Sequence, residues 1–231
     1  MNRRLAKLYE KITPGVGVID VGTDHGYLPV ALAKAAYPGR ILASDLRAEP
    51  LNAARRSAER EGVTDRIEFL LCDGLSLCPP DAVDTIVIAG MGGDTIVKIL
   101  DDAEFCLDKR YRFILQPMTK PEVLRYWLAY NEFGILSETK VFDAGTLYQI
   151  LTARFGGRTK LNDAELYIGK ASLEEDRALH ALALSQLEDR LDKALAGMCG
   201  HEGDSPRANL YREIAAQIKE MKRDDHDSTG L

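Results

Sequence analysis

Along the 231-residue chain, hydrophobic and polar positions follow two regimes. In the first two-thirds, short β-branched runs alternate with helix-forming stretches. VGVIDVG (16–22), RILASDL (40–46), RIEFLLCDG (66–74), DAVDTIVIAGMGG (81–93) and YRFILQP (111–117) read as strands, the fourth apolar enough to be covered on both faces. PVALAKAA (29–36), AEPLNAARRSAEREG (48–62), DTIVKILDDA (94–103) and KPEVLRYWLAYNEFG (120–134) lie between and after them with helical composition. Pro50 and Pro121 suit first helical turns, Gly62 suits a helix stop, and Asp94 has the side chain of an N-cap. Residues 135–155 read as two strands across a turn at Asp143-Ala144-Gly145. Strands alternating with crossover helices predict an α/β fold: a doubly wound, mostly parallel sheet to which the hairpin adds an antiparallel strand.

The pattern changes near Asn162, after which the chain is nearly all helical. Leu173, Leu179, Leu184, Leu187, Leu191 and Leu195 fall on one stripe, GHEGDSPR (200–207) interrupts it, and Leu210, Ile214, Ile218 and Met221 form a second. Two such helices predict an antiparallel helical hairpin. The expected organisation is a Rossmann-like domain over 1–158, a small helical, coiled-coil-like unit over 159–225 and a disordered tail over 226–231.

Composition narrows the classes. With 45% hydrophobic and 29% charged residues, the chain has the balance of an ordinary soluble protein. No apolar run reaches the roughly 18 residues a membrane span needs. The first residues, MNRRLAKLYEKI, are charged and amphipathic rather than a leader, so a cytoplasmic location is expected. Cys72, Cys78, Cys106 and Cys199 form no CxxC pair and read as reduced thiols, not a disulfide frame or a metal site. A net charge of −6 argues against a nonspecific nucleic-acid binder while leaving room for local basic patches.

The chemistry collects at the strand ends, where open parallel sheets bind ligands. The first strand ends in Asp20-Val21-Gly22-Thr23-Asp24-His25-Gly26, the second in Asp45-Leu46, the third in Asp73-Gly74, the fourth in Ala89-Gly90-Met91-Gly92-Gly93 and the fifth in Gln116-Pro117-Met118. Gly22 and Gly26 allow a tight turn close to a ligand. Asp45, about 20 residues on, can accept both ribose hydroxyls, as NAD and S-adenosylmethionine sites alike require. Two features separate those cofactors. Asp73 suits an adenine amino group, which NAD fingerprints do not demand. Asp20 and Asp24 also crowd the turn with negative charge, which repels a pyrophosphate and suits a sulfonium and an ammonium. The turn therefore points to a cationic cofactor. An NAD(P)-linked oxidoreductase lacks its GxGxxG here; a non-catalytic binding module, or a methyltransferase acting on a small molecule, protein or other RNA, stays open.

The segments Asp20-Val-Gly-Thr-Asp-His-Gly-Tyr-Leu-Pro29, Ile88-Ala-Gly-Met-Gly-Gly93 and Leu115-Gln-Pro117 together resemble the TrmK family of bacterial tRNA (adenine(22)-N(1))-methyltransferases, over nearly the whole chain. That resemblance implies a class I methyltransferase domain followed by a helical pair, S-adenosyl-L-methionine as methyl donor, and tRNA as partner, with neither membrane nor metal and with a monomer expected. It implies cofactor contacts at Asp20, Gly22, Thr23, His25, Gly26, Asp45, Leu46, Asp73, Gly74 and Gly90, and a catalytic acid at Asp24. Adenine N1 already carries a lone pair, so a carboxylate serves to stabilise the cationic product or to take an amino proton; the N-cap of the first helix is a second reading of Asp24, and the two roles can coexist. His25 has three readings: a cofactor contact, a support for Asp24, or a structural residue. Where amino-directed methyltransferases carry an acid-or-asparagine, two prolines and an aromatic, this chain has AGMGG, which leaves Met91, Gly92, Gln116 and Tyr27 as candidates for holding the base, with core packing a second reading for Tyr27. The helical pair is either a tRNA grip or a stabilising or dimerising hairpin. Arg3, Arg4, Lys7, Arg110, Arg112, Lys120, Arg125, Arg154, Arg158 and Lys160 each read singly as a solvated surface charge, and as a set they are candidates for a phosphate track near the carboxyl edge of the sheet.

Overall fold

A computed structural model describes residues 2–198 and 205–228. Strands β1 (Gly17–Val21), β2 (Arg40–Asp45), β3 (Glu68–Leu71), β4 (Thr85–Gly92) and β5 (Arg112–Thr119) run parallel, and β6 (Phe133–Asp143) with β7 (Thr146–Phe155) forms the hairpin. Across the sheet the order is β3-β2-β1-β4-β5-β7-β6. The chain winds outward from β1 to β3, then returns to β4 on the other side of β1. The switch point between β1 and β4 is where such sheets open a crevice for ligands. β7 is inserted between β5 and β6 and pairs antiparallel with both. Its Ile150, Leu151, Thr152 and Ala153 are all buried, the composition of an interior strand.

Period-two alternation along the strands divides the core. Val18, Ile41, Ala43, Val87, Ile114 and Ile150 face α1 (Arg3–Lys11), α2 (Tyr27–Lys34) and α3 (Ala48–Arg60). Ile19, Leu42, Ile86, Ile88, Leu115 and Leu151 face α4 (Gly93–Asp101) and α5 (Pro121–Tyr130). Consecutive residues point to opposite faces, so one apolar run feeds both layers. Gly92, not Asp94, is the N-cap of α4; Asp94 sits inside the first turn and pairs with Lys120.

The C-terminal unit contains α6 (Asp163–Ile168), α7 (Arg177–Ala196) and α8 (Pro206–Ser228), which share a separate core of Ala164, Ile168, Ala183, Leu184, Leu187, Leu191, Ile214, Ala215 and Ile218. α6 is a third helix that the leucine stripes did not reveal; an Asn162–Glu165 capping box starts it and Gly169 ends it. Leu173 consequently lies in a 3-10 turn before α7 and packs on the main sheet's core. Leu210 is exposed, because Tyr211 takes the inward position on α8. α8 continues through Ser228, into the stretch expected to be disordered, where no glycine or proline interrupts it. Cys199, most of the break at 200–207 and residues 229–231 lie outside the described residues. Cys72, Cys78 and Cys106 are free and buried, and burial pushes the Cys78 thiol up to about 11.

Candidate active site

The turn after β1 is built by its own hydrogen bonds. The Gly22 and Thr23 N–H groups donate to the Ser44 carbonyl at 2.8 and 3.0 Å, which ties the turn to the end of β2. The Gly26 N–H then donates to the Thr23 carbonyl at 2.8 Å. This tight loop lifts Asp24 into a left-handed conformation (φ 48°), and Gly26 (φ 70°) enters α2 as its N-cap with no side-chain cap bond. Asp24 is therefore not the helix cap. Its carboxylate, with 70% side-chain exposure, is free to face the cleft.

That cleft, about 760 Å³, is lined by Gly22, Asp24, Asp45, Leu46, Asp73, Gly74, Gly90 and Met91, among others. The acids at the ends of three successive strands, read separately along the chain, meet in one cavity. Asp45 accepts the Arg47 N–H at 2.9 Å through Oδ1. Met91 lies directly over Gly22, its methyl group occupying the place a Cβ there would need. Ser44, Arg47, Thr95 and Lys98 also line the wall. Sequence reading passed over them, although Thr95, Lys98 and Ile99 follow the glycine turn at i, i+3 and i+4, the spacing that puts residues on one helix face.

Several expected residues stand outside the cleft lining. Asp20 and Thr23 form a buried layer behind it, with Thr23 Oγ1 donating to Asp20 Oδ2 at 2.8 Å. Burial pushes the Asp20 carboxyl up to about 6, the Thr23 bond and the Arg4 charge pull it down, and Asp45 adds to the rise. Gly26 packs on Ala54 of α3. His25 is turned outward, 3.8 Å from Asp24 Oδ2, with its ring 5.5 Å from that of Tyr27. Tyr27 is 61% exposed and borders a groove with Asn2, Leu5 and Lys34. It is neither core nor cleft wall, because the first turn of α2 presents it to solvent. Gln116 is fully buried, and its amide donates to the Pro117 carbonyl at 2.9 Å while Oε1 accepts from Arg4 Nη1 at 2.6 Å. Gly92 caps α4.

The expected basic track is dispersed. Arg110 and Arg112 precede or begin β5, and Arg154 lies one residue past the Ala153 that pairs with Phe113, with Arg158 and Lys160 following; this is the amino edge of β5. Arg125 is buried and bonded to Glu138. Arg4 and Lys120 are at the carboxyl edge. A second groove of about 570 Å³ opens there between the β5–β7 edge and α7, lined by Pro117, Met118, Tyr148, Arg190 and Lys193 among others. Among the described residues no cluster of His, Cys, Asp or Glu has metal-binding geometry, and no helix is long and apolar enough to cross a membrane.

The acceptor groups of the main cleft fit an adenosine-bearing cation. Carboxylates at Asp45 and Asp73 can meet hydroxyl and amino donors, and the acidic turn at Asp20 and Asp24 complements positive charge. Comparison with known proteins agrees. A methyltransferase-domain family matches residues 1–151. The Bacillus subtilis (strain 168) tRNA (adenine(22)-N(1))-methyltransferase is 31% identical over 163 residues, covering 71% of this chain and 68% of that protein. A crystal structure of a candidate tRNA (m1A22) methyltransferase from Streptococcus pneumoniae, in complex with S-adenosyl-L-methionine, superposes with a TM-score of 0.81 at 27% identity, covering 95% of this chain and 98% of that one. The Mycoplasma capricolum TrmK structure with S-adenosylhomocysteine shares the fold, with a TM-score of 0.77 at 24% identity and coverage of 96% of each chain. The shared fold extends over 95% of this chain, its C-terminal helices included, and with the matching methyltransferase domain and the Bacillus subtilis relative the chain belongs to the TrmK family of tRNA (adenine(22)-N(1))-methyltransferases.

Proposed function

We propose that this protein methylates N1 of adenine 22 in the D-arm of tRNA, with S-adenosyl-L-methionine as donor, as a cytoplasmic monomer. The observation that carries the reading is the single cleft in which Asp24, Asp45 and Asp73 meet beside the glycine turns of β1 and β4. Asp45 would hold the ribose, Asp73 with Gly74 and Leu46 the adenine, and the β1 turn, with Asp20 and Thr23 behind it, the methionine end. When bound, the cofactor supplies an electrophilic methyl group.

The chain's own task is to present adenine N1 and to manage charge. N1 attacks through its lone pair, so no base is needed to begin. The ring becomes cationic as the N–C bond forms, and the Asp24 carboxylate stabilises that charge or accepts a proton from the 6-amino group. Gly90, Met91 and Gly92 leave room for a base beside the donor, and Met91 offers a soft surface against the ring. N1 lies on the Watson–Crick edge, so the nucleotide must leave its stack to enter. Transfer of labelled methyl groups to unmodified tRNA, followed by nucleoside mass spectrometry, tests the reading. 1-Methyladenosine at position 22 is the expected product; transfer to another position or nucleoside, or none to tRNA, overturns it.

A further inference from the structure

The N-terminal helix brings a cation onto the rim of the active site. The Asn2 side chain caps α1 by accepting the Leu5 N–H at 2.8 Å, and the Arg4 N–H donates to Asp143 Oδ2 at 3.2 Å, fixing the helix start against the β6–β7 turn. From there the Arg4 side chain crosses the carboxyl edge of the sheet. Nη1 donates to Gln116 Oε1 at 2.6 Å and lies 3.5 Å from where a Gly90 Cβ would stand. The guanidinium carbon is 5.4 Å from the centre of the Tyr148 ring. Gly90 lines the main cleft and Tyr148 the second groove, so the Arg4 side chain lies beside one wall residue of each.

The partners that hold this guanidinium are a neutral amide and a π face. Asp20 feels its charge but takes its hydrogen bond from Thr23. No carboxylate forms an ion pair with the Arg4 side chain among the described residues, and its Nε and Nη2 donors have no partner there. Gln116 is buried and both ends of its amide are engaged, so the guanidinium is fixed in place. A half-buried cation that is oriented but not neutralised is suited to an anionic ligand. A base made cationic by methylation disfavours Arg4 over its ring. The anion that an extruded nucleotide brings to the rim is its own backbone phosphate.

We propose that Arg4 is a substrate-binding residue that grips a backbone phosphate beside the target adenosine, preset by Gln116 and Tyr148, with the RNA strand continuing into the groove bordered by Arg190 and Lys193. This rests on the tRNA reading above. The test compares Arg4→Gln, which removes the charge but keeps an N–H donor for Gln116, with Arg4→Lys, which keeps the charge. Dissociation constants for an unmodified tRNA transcript are measured from about 50 to 300 mM salt, and S-adenosylmethionine affinity by calorimetry. Arg4→Gln is expected to weaken tRNA binding about tenfold and to reduce the salt slope by roughly 0.7 to 0.9, the loss of one phosphate contact. Arg4→Lys keeps the slope, and cofactor affinity stays within about twofold of wild type in both variants. Should Arg4→Gln fail to fold, Gln116→Glu neutralises the same guanidinium in place and is expected to lower both affinity and slope. Wild-type affinity and slope in the folded charge-removing variant overturn the proposal alone. Wild-type protein that neither binds nor methylates tRNA overturns it together with the functional reading.

Discussion

Asp20 at the end of β1 and Asp24 in the turn after it stand in opposite environments. Asp24 is exposed, lies in a left-handed conformation and caps no helix. On the proposed mechanism, replacing it is expected to act on the chemistry more than on stability. Asp24→Ala is expected to lower the single-turnover methylation rate by at least about a hundredfold, roughly 2.7 kcal/mol of barrier, with a much smaller loss of cofactor affinity. A rate within about tenfold of wild type, about 1.4 kcal/mol, removes Asp24 from the mechanism. Asp20 is buried, and its carboxyl is pushed from 3.8 to about 6 chiefly by that burial. Between those values the folded protein keeps a proton that the unfolded chain has released, so this group's contribution to stability falls as pH rises through the window. Above it the cost is about 3 kcal/mol. Asp20→Asn should therefore stabilise the cofactor-free protein at about pH 7.5 and leave it unchanged near pH 4, in urea melts at the two values. On the proposed function, in which the ionised Asp20 supports the cofactor's cationic end, the same variant should bind S-adenosylmethionine more weakly. A melt difference independent of pH contradicts the assignment. At this scale residue types revealed which acids converge, since strand ends converge in any parallel sheet. They did not reveal that His25 and Tyr27 point away, because that depends on where the Gly26 turn lets α2 begin.

Elements were legible wherever their periodicity was long. The five parallel strands and their crossover helices agree with the apolar runs to within a few residues at their ends, and the hairpin turn sits at Ala144-Gly145. Three features were not legible. β7 inserts ahead of β6 through a long-range pairing with β5, which local pattern does not encode. α6 is a six-residue helix, too short for a stripe. Arg4 belongs to an amphipathic N-terminal segment whose docking on the sheet edge depends on Asp143 and Gln116, both more than a hundred residues away. The β1 turn also depends on packing between elements. A Cβ on Gly26 would stand 2.8 Å from Ala54 Cβ and 3.0 Å from Ala54 Cα, so α2 and α3 approach through a position where any side chain collides. Gly26→Ala is expected to cost about 2 to 4 kcal/mol, combining left-handed strain with overpacking. Gly62→Ala is the control: its φ is similarly positive, +67°, but nothing stands within 4 Å, so only the strain of about 1 to 2 kcal/mol remains. Equal losses in denaturant melts would mean that the α2–α3 contact is looser than this geometry requires.

Buried charge binds the helical unit to the sheet. Arg125 is fully buried, with Nη2 on Glu138 Oε2 at 2.5 Å and on Gln149 Oε1 at 2.6 Å, and Nη1 on the Leu166 carbonyl at 2.9 Å. Lys140 of β6 pairs with Glu174, which stands just before α7, and lies 3.0 Å from His180 Nδ1 on α7. Burial alone would raise the Glu174 carboxyl, but His180 and Lys140 outweigh it and hold the group below the usual carboxylate range. This stability is present above the unfolded carboxylate's pKa and is lost as pH falls through the depressed folded value. An ion pair of this kind contributes little compared with apolar packing, but breaking one side leaves a charge without water or partner. Glu174→Gln is therefore expected to cost about 3 to 5 kcal/mol, and Lys140→Met combined with Glu174→Leu much less. Urea melts followed by helical circular dichroism and by fluorescence of Trp127, the single tryptophan, check both values and locate the loss. Release of the helical unit before the sheet predicts that in Glu174→Gln the dichroism midpoint falls below the fluorescence midpoint. Because α7 forms one wall of the second groove, the same variant should weaken tRNA binding while leaving cofactor affinity intact. A loss under about 1 kcal/mol with coincident midpoints would assign the docking to the apolar contacts around Ile168 and Leu184 instead.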